Sequence, residues 1–134
     1  MTTMALLGVG LYVKGSREAA ALYQEAFGAE LGYHVLNEDG TFFHSELNVK
    51  GEPLCSVVEA KEPAAGYNPV ELGYTFDTRE ALERAFDLLT EGGKVDLPLC
   101  ELPWSPWAAE VTDRFGVRWF LTLRQHRPPE DFKP

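Results

Sequence analysis

The chain has 134 residues, 45% of them apolar, and 21 acidic against 12 basic residues give it a formal net charge of −9. That length suits one domain with a real core, the composition excludes global disorder, and the acidic balance excludes a nucleic-acid footprint. No run approaches the roughly 20 apolar residues of a membrane span, the first residues lack a secretory pattern, and Cys55 and Cys100 form neither a CxxC pair nor a disulfide scaffold, so a cytoplasmic protein with reduced thiols is expected.

Residues 5–13 read as a strand, with Leu7, Val9, Leu11 and Val13 packing on one side and Gly8, Gly10 and Tyr12 open on the other. Gly15 breaks the strand, and Ser16 stands where a side-chain oxygen caps a helix. The helix carries the stripe Ala19, Leu22, Tyr23, Ala26 and Phe27 and stops at Gly28. Strands are expected over 31–36, 41–49 and 54–60, separated by the turn signals Asn37-Glu38-Asp39-Gly40 and Lys50-Gly51. In the middle strand Phe43, Ser45, Leu47 and Val49 form the more apolar side, and Phe42, His44, Glu46 and Asn48 the other. Glu59 ends the third strand, with either orientation open.

Residues 61–69 hold two prolines, a glycine and an alanine pair, and read as a linker. The order then repeats. A strand over 71–76 places Leu72, Tyr74 and Phe76 on the packing side with Val70, and Glu71, Gly73 and Thr75 on the other. Thr78 caps a helix with the stripe Leu82, Ala85, Phe86 and Leu89, and Gly92-Gly93 lies beyond it. A strand over 94–102 contains Pro98, which suggests an edge or a bulge. A loop over 103–106 carries Trp104. Strands over 107–112 and 117–124 flank Asp113-Arg114-Phe115-Gly116, and the proline-rich tail 127–134 frays. In the last strand Val117, Trp119, Leu121 and Leu123 go to the core, while Arg118, Phe120 and Thr122 face inward with Ala108 and Glu110 of the preceding strand.

Leu11 and Tyr74 are 63 positions apart and Ser16 and Thr78 62 apart, so the second copy lacks one connecting residue. A repeat of this length fits one fold made of two similar halves: a module over 5–60, a linker over 61–69, a module over 70–124 and a tail over 125–134. Twinned halves enclose a cleft, where small ligands bind.

The order strand, helix, three strands, taken twice, resembles the vicinal oxygen chelate superfamily, the glyoxalase, bleomycin-resistance and extradiol-dioxygenase group, and within it the PhnB-like branch. The resemblance spans 5–124. It is carried by Gly15-Ser16-Arg17-Glu18-Ala19, by the run from Leu22-Tyr23-Gln24 to Gly28-Ala29-Glu30, by Phe43-His44-Ser45-Glu46-Leu47, by Gly92-Gly93-Lys94-Val95 and by Asp113-Arg114-Phe115-Gly116-Val117-Arg118-Trp119. It implies an α+β fold of paired βαβββ modules whose sheets curl into an open cup, helices outside, and a homodimer. Metal-using members place His, Gln or Glu at four cup positions. These fall here on Gly8, within 55–57, on Glu71 and on Phe120, so at most one ligand survives and no metal or cofactor is expected.

The residues expected to line the cup are His44, Glu46, Glu71, Trp104, Trp107, Glu110 and Phe120. A histidine among carboxylates is a workable metal or acid/base set, although the plainer reading is a half-buried His44 bonded to a neighbouring carboxylate. Aromatics at a cup mouth stack on planar or cationic ligands. His34 and His126 are given no role, and no catalytic residue is assigned. The leading expectation is a small-molecule binder for a cationic or aromatic ligand, with no nucleic-acid or membrane partner. The alternatives are a metal-dependent lyase, isomerase or dioxygenase with shifted ligands, and a non-catalytic interaction module.

Overall fold

A computed structural model describes residues 7–125. Positions 5–6 of the expected first strand, His126 and the tail 127–134 lie outside the described residues. The elements run β1 (Gly10–Val13), α1 (Ser16–Phe27), β2 (Glu30–Leu36), β3 (Phe42–Val49), β4 (Glu52–Glu59), β5 (Glu71–Phe76), α2 (Arg79–Thr90), β6 (Lys94–Leu102), β7 (Ser105–Thr112) and β8 (Arg118–Leu123). Two mixed sheets result, ordered β1-β4-β3-β2 and β5-β8-β7-β6. In each, the strand before the helix lies parallel to the last strand of its module, and the other neighbours are antiparallel. This is the α+β architecture of paired βαβββ modules. The chain divides into two compact units between Gly66 and Tyr67, inside the segment read as linker.

In the first unit the helix buries Ala19, Ala20, Leu22, Tyr23, Ala26 and Phe27 against Val13, Leu47, Cys55 and Val57. Alternation slips once in β4, where Leu54 is passed over between Pro53 and Cys55, and once in β3. Val35 pairs with His44 but Leu36 with Phe42, so Phe43 is an extra, bulged residue. The bulge corrects the expected pattern. Phe42 is buried at 2% exposure beneath the Arg17 guanidinium and the His34 ring edge, and Phe43 is 66% exposed. Leu7 is also exposed rather than packed, because it precedes the first residue of β1 paired to β4.

The start of α1 departs from expectation as well. The cap position is Gly15, held at φ 90°, a left-handed conformation that glycine adopts without strain. Ser16 lies in the first turn, and its hydroxyl accepts a hydrogen bond from the Phe42 amide at 2.9 Å. The free amides of Gly15 and Ser16 donate instead to the two oxygens of Glu59, at 3.1 and 2.8 Å. A carboxylate from the end of β4 thus caps the helix, at the end where the macrodipole favours negative charge. Burial alone would raise the Glu59 carboxyl. The Ser16 and Gly15 hydrogen bonds, with Lys14 beside it, outweigh burial and hold it below its ordinary value.

The second unit starts its helix locally: the Thr78 hydroxyl accepts from the Ala81 amide at 3.2 Å. Leu82, Ala85 and Leu89 are buried against Val111, Trp119 and Leu121. Beyond the helix, Gly93 lies so close to the Thr112 carbonyl oxygen that no side chain fits there. The loop expected over 103–106 shrinks to Pro103 and Trp104. Ser105 already pairs with Leu102, its hydroxyl donating to the Trp107 carbonyl and accepting from the Leu123 amide. Pro98 sits in β6, the sheet edge, within a stretch of shifted register. Among the described residues no helix is long and apolar enough to cross a membrane.

Glu59→Gln removes the charge from the α1 cap and keeps its shape. It is expected to cost about 1–2 kcal/mol at pH 7, read from urea denaturation. Because the native Glu59 value is depressed, its stabilisation is present above the unfolded value and is lost as pH falls through the native one. The gap between wild type and variant should therefore close in acid; a gap that persists there would show that Glu59 acts by packing alone.

Candidate functional site

Each sheet has one face under its helix and one face turned away from it. In the second unit the register fixes the occupants of the open face. Glu71 pairs with Arg118, Gly73 with Phe120 and Thr75 with Thr122, while Glu110 pairs with Phe120 and Thr112 with Arg118. Three expected site residues, Glu71, Glu110 and Phe120, therefore share one patch, and Arg118 lies among them. Sequence alternation had placed Arg118 on this face, but it was not singled out, because its neighbours on β5 and in the linker are distant in sequence.

Arg118 organises the patch. Its Nη2 donates toward Glu71 at 3.4 Å, and Glu110 lies 4.0 Å from the same nitrogen. Its Nη1 donates to the Asn68 carbonyl at 3.0 Å and to the Tyr67 hydroxyl at 3.5 Å, and the guanidinium stands 5.2 Å from the centre of the Tyr67 ring. Asn68 in turn accepts from the Val70 amide at 3.0 Å, so the segment read as linker is tied to the sheet. The side chains of Arg118, Glu71 and Glu110 are 18%, 23% and 31% exposed. Partial burial, then the hydrogen bond and negative charge of Glu110, push the Glu71 carboxyl up to about 7, with Arg118 pulling the other way and Asp96 adding a smaller upward push. Two carboxylates facing one guanidinium leave a surplus of negative charge, and the pair retains a proton near neutral pH.

In the first unit His44 and Glu46 sit on the open face of β3, with His44 Nε2 2.9 Å from a Glu46 oxygen and the Tyr33 ring 6.1 Å from the imidazole. Beside Glu46 is a cavity of about 300 Å³ whose walls include Gly8, Val9, Asn48, Leu54 and Ser56.

The tryptophans part company. Trp104 is 63% exposed at the tip of the β6–β7 hairpin. Trp107, expected at the start of a strand and lining the cup, lies inside β7 but on the helix side: its Nε1 donates to Glu83 at 2.9 Å, and the Arg79 guanidinium stacks 3.8 Å above its ring. It faces away from Glu110, three positions along the strand.

The four positions at which metal-using members of the resembling family place ligands hold little donor chemistry. Gly8 has no side chain, Phe120 offers a phenyl ring, and Cys55 is buried with its thiol pushed up to about 12 by burial, which leaves Glu71, already engaged by Arg118. Among the described residues no group of three or more His, Cys, Asp or Glu side chains is placed to hold a metal ion.

The family model for the Glyoxalase/Bleomycin resistance protein/Dioxygenase superfamily matches residues 5–121. Protein YjdN of Escherichia coli K12 is 25% identical over 133 residues, covering 84% of this chain and 90% of its own. Among solved structures, a PhnB protein from Bacillus cereus, described as a putative 3-demethylubiquinone-9 3-methyltransferase, superposes with a TM-score of 0.76 at 22% identity, covering 90% of this chain and 100% of that one. Protein PA1353 from Pseudomonas aeruginosa gives 0.74 at 26% identity, covering 92% and 100%. With 117 consecutive residues under the family model and a doubled βαβββ topology to match, this chain belongs to the Glyoxalase/Bleomycin resistance protein/Dioxygenase superfamily.

Proposed function

We propose that the chain binds a small organic cation on the open face of its second sheet, without the four-ligand metal centre of its metal-using relatives. The observation that carries this reading is the Glu71–Glu110 pair beside an arginine whose two terminal nitrogens already contact protein oxygens. The unspent hydrogen-bonding capacity of the patch lies in carboxylate oxygens. An ammonium or amidinium group supplies the missing positive charge and donors, whereas an anion would have to break the Arg118 contacts to gain any. The net charge of −9 draws cations toward the protein, and Phe120 gives the ligand an apolar surface on the same face.

His44 with Glu46 is proposed as a separate ligand contact on the open face of the first sheet, and Trp104 belongs to this proposal as a further contact in the second unit. Trp107 does not, because both its polar atom and its ring are engaged by α2. Binding rather than catalysis is the reading proposed, carried by the under-compensated carboxylates. On the same reading the protein works in the cytoplasm as a homodimer.

Isothermal titration calorimetry with a panel of alkylammonium, amidinium and carboxylate probes tests the reading. Cations are expected to bind, and Glu71→Gln to weaken them about tenfold or more. Binding of carboxylates alone, or a divalent metal retained in stoichiometric amount after chelation and dialysis, would overturn it.

A cation competes with the proton held by the pair. With Glu71 near 7, affinity should be about tenfold weaker at pH 6 than at pH 8, with proton uptake by the buffer below pH 7. A pH-independent affinity would place the ligand elsewhere.

The same carboxyl makes a stability prediction without ligand. Its native value is raised, so its contribution is fully present below the unfolded value of 4.5 and is lost as pH rises through about 7. Relative to Glu71→Gln, the wild type should lose thermal stability between pH 5 and pH 8; parallel melting curves across that range would refute the raised value.

A further inference from the structure

The residue beside this patch that sequence reading passed over is Tyr67. It lies four positions before Glu71, in the segment taken for a plain linker. Its backbone neighbourhood is pinned by the hydrogen bond from Arg118 to the Asn68 carbonyl and by the Asn68 side chain on the Val70 amide. Its side chain is nonetheless 77% exposed. An aromatic ring this open costs solvation and adds nothing to a core. What it does touch is a cation: the Arg118 guanidinium lies 5.2 Å from the ring centre and reaches the phenol oxygen at 3.5 Å.

A ring that holds one cation over one face presents its other negative π face to another. The charge balance allows this. Arg118 is matched by Glu71, and Glu110 with the nearby Asp96 adds further negative charge, Asp96 being only partly offset by Lys94 at 3.4 Å. Phe120, paired with Glu110 across the strands, supplies a second aromatic on the same open face. A compact primary ammonium is satisfied by carboxylate oxygens alone. A diffuse cation, such as a quaternary ammonium or an aryl amidinium, cannot donate short hydrogen bonds over its whole surface and gains most from aromatic walls.

We infer that Tyr67 is a specificity-determining residue of the cation site, an aromatic wall that selects diffuse organic cations over compact ammonium ions. This rests on the reading of the Glu71–Glu110 face as a cation site.

Choline, its neutral isostere 3,3-dimethylbutan-1-ol and methylammonium serve as probes, titrated calorimetrically against wild type, Tyr67→Phe and Tyr67→Leu. Circular dichroism checks that each variant is folded, which the exposure of Tyr67 favours. Wild type is expected to bind choline above the neutral isostere. Tyr67→Phe should keep that affinity within about twofold, and Tyr67→Leu should weaken choline about three- to tenfold while leaving methylammonium unchanged. Equal choline affinity in wild type and Tyr67→Leu would overturn the inference and leave the cation site standing. Equal losses of choline and methylammonium in Tyr67→Leu would also overturn it, since they would mark Tyr67 as a support for Arg118 alone. A wild type that binds the alcohol as well as choline would remove the cation site and the role of Tyr67 together.

Discussion

Parallel pairing of the first and last strands of each module is the constraint on which the rest of the structure depends. In the second unit it sets Leu72 beside Trp119 and Tyr74 beside Leu121, and the helix between the strands must then cover that side of the sheet. Every alternate residue is thereby committed to the core, and the remaining ones are committed to the open face. Glu71, Arg118, Phe120 and Glu110 share a face because Trp119, Leu121, Val111 and Ala109 cannot leave the other: all four are almost fully buried. A one-residue slip of β8 would send Trp119 to solvent and Arg118 under the helix, a change no charge cluster could offset. The candidate site is thus a by-product of core packing, specified with the same strength as the core.

The two modules solve the same local problem by different chemistry. The β1–α1 and β5–α2 connections have the same length, Lys14-Gly15 and Asp77-Thr78, so the cap positions are Gly15 and Thr78, and the first takes a left-handed turn. The cap position therefore falls on a residue with no side chain, and the amides of Gly15 and Ser16 donate to Glu59, the pairing partner of Val13. In the second module the equivalent position is Thr78, whose hydroxyl caps the helix itself. The position after β8 is free for Arg124, which pairs with Asp77 at 2.6 Å. Asp113 plays a similar organising part in the last hairpin: one oxygen accepts from the Phe115 and Val117 amides and the other from the Trp119 indole. It ties the turn to the largest side chain of the core.

Much of this was legible in the sequence because it depends on periodicity. The two helical stripes, the strand order, the edge position of Pro98 and the open-face placement of Glu71, Glu110 and Phe120 all follow from periods of 3.6 and 2 read between glycine and proline breaks. The misreadings have one physical source, since pattern arguments assume unbroken phase. A single bulge at Phe43 exchanged the fates of Phe42 and Phe43. The hairpin at Pro103 and Trp104 proved tighter than the proline spacing suggested, and Trp107, odd-numbered like Ala109 and Val111, faces α2 rather than the cup. Glu59 and Arg118 were visible as charged residues on strands. Their partners, however, are backbone groups of distant segments, the amides at Gly15 and Ser16 and the carbonyl of Asn68, which leave no side-chain signature. Tyr67 was hidden for the same reason: a segment rich in proline, glycine and alanine reads as a spacer until a strand residue is found holding it.

The chemistry of the open face then turns on competition for Glu71. Arg118 favours its ionised form, while burial, Glu110 and Asp96 favour its neutral form, and the second group prevails by enough to bring the carboxyl to about 7. Had Arg118 been free to close fully on Glu71, the pair would be a plain ion pair with a low carboxyl value and little to offer a ligand. The Asn68 carbonyl opposes that by accepting from Nη1 at 3.0 Å, while the Nη2 contact to Glu71 stays long at 3.4 Å. The backbone of the connecting segment therefore tunes the charge of the sheet. With the arginine held at that distance, the two carboxylates remain under-compensated, and Glu71 keeps a raised value.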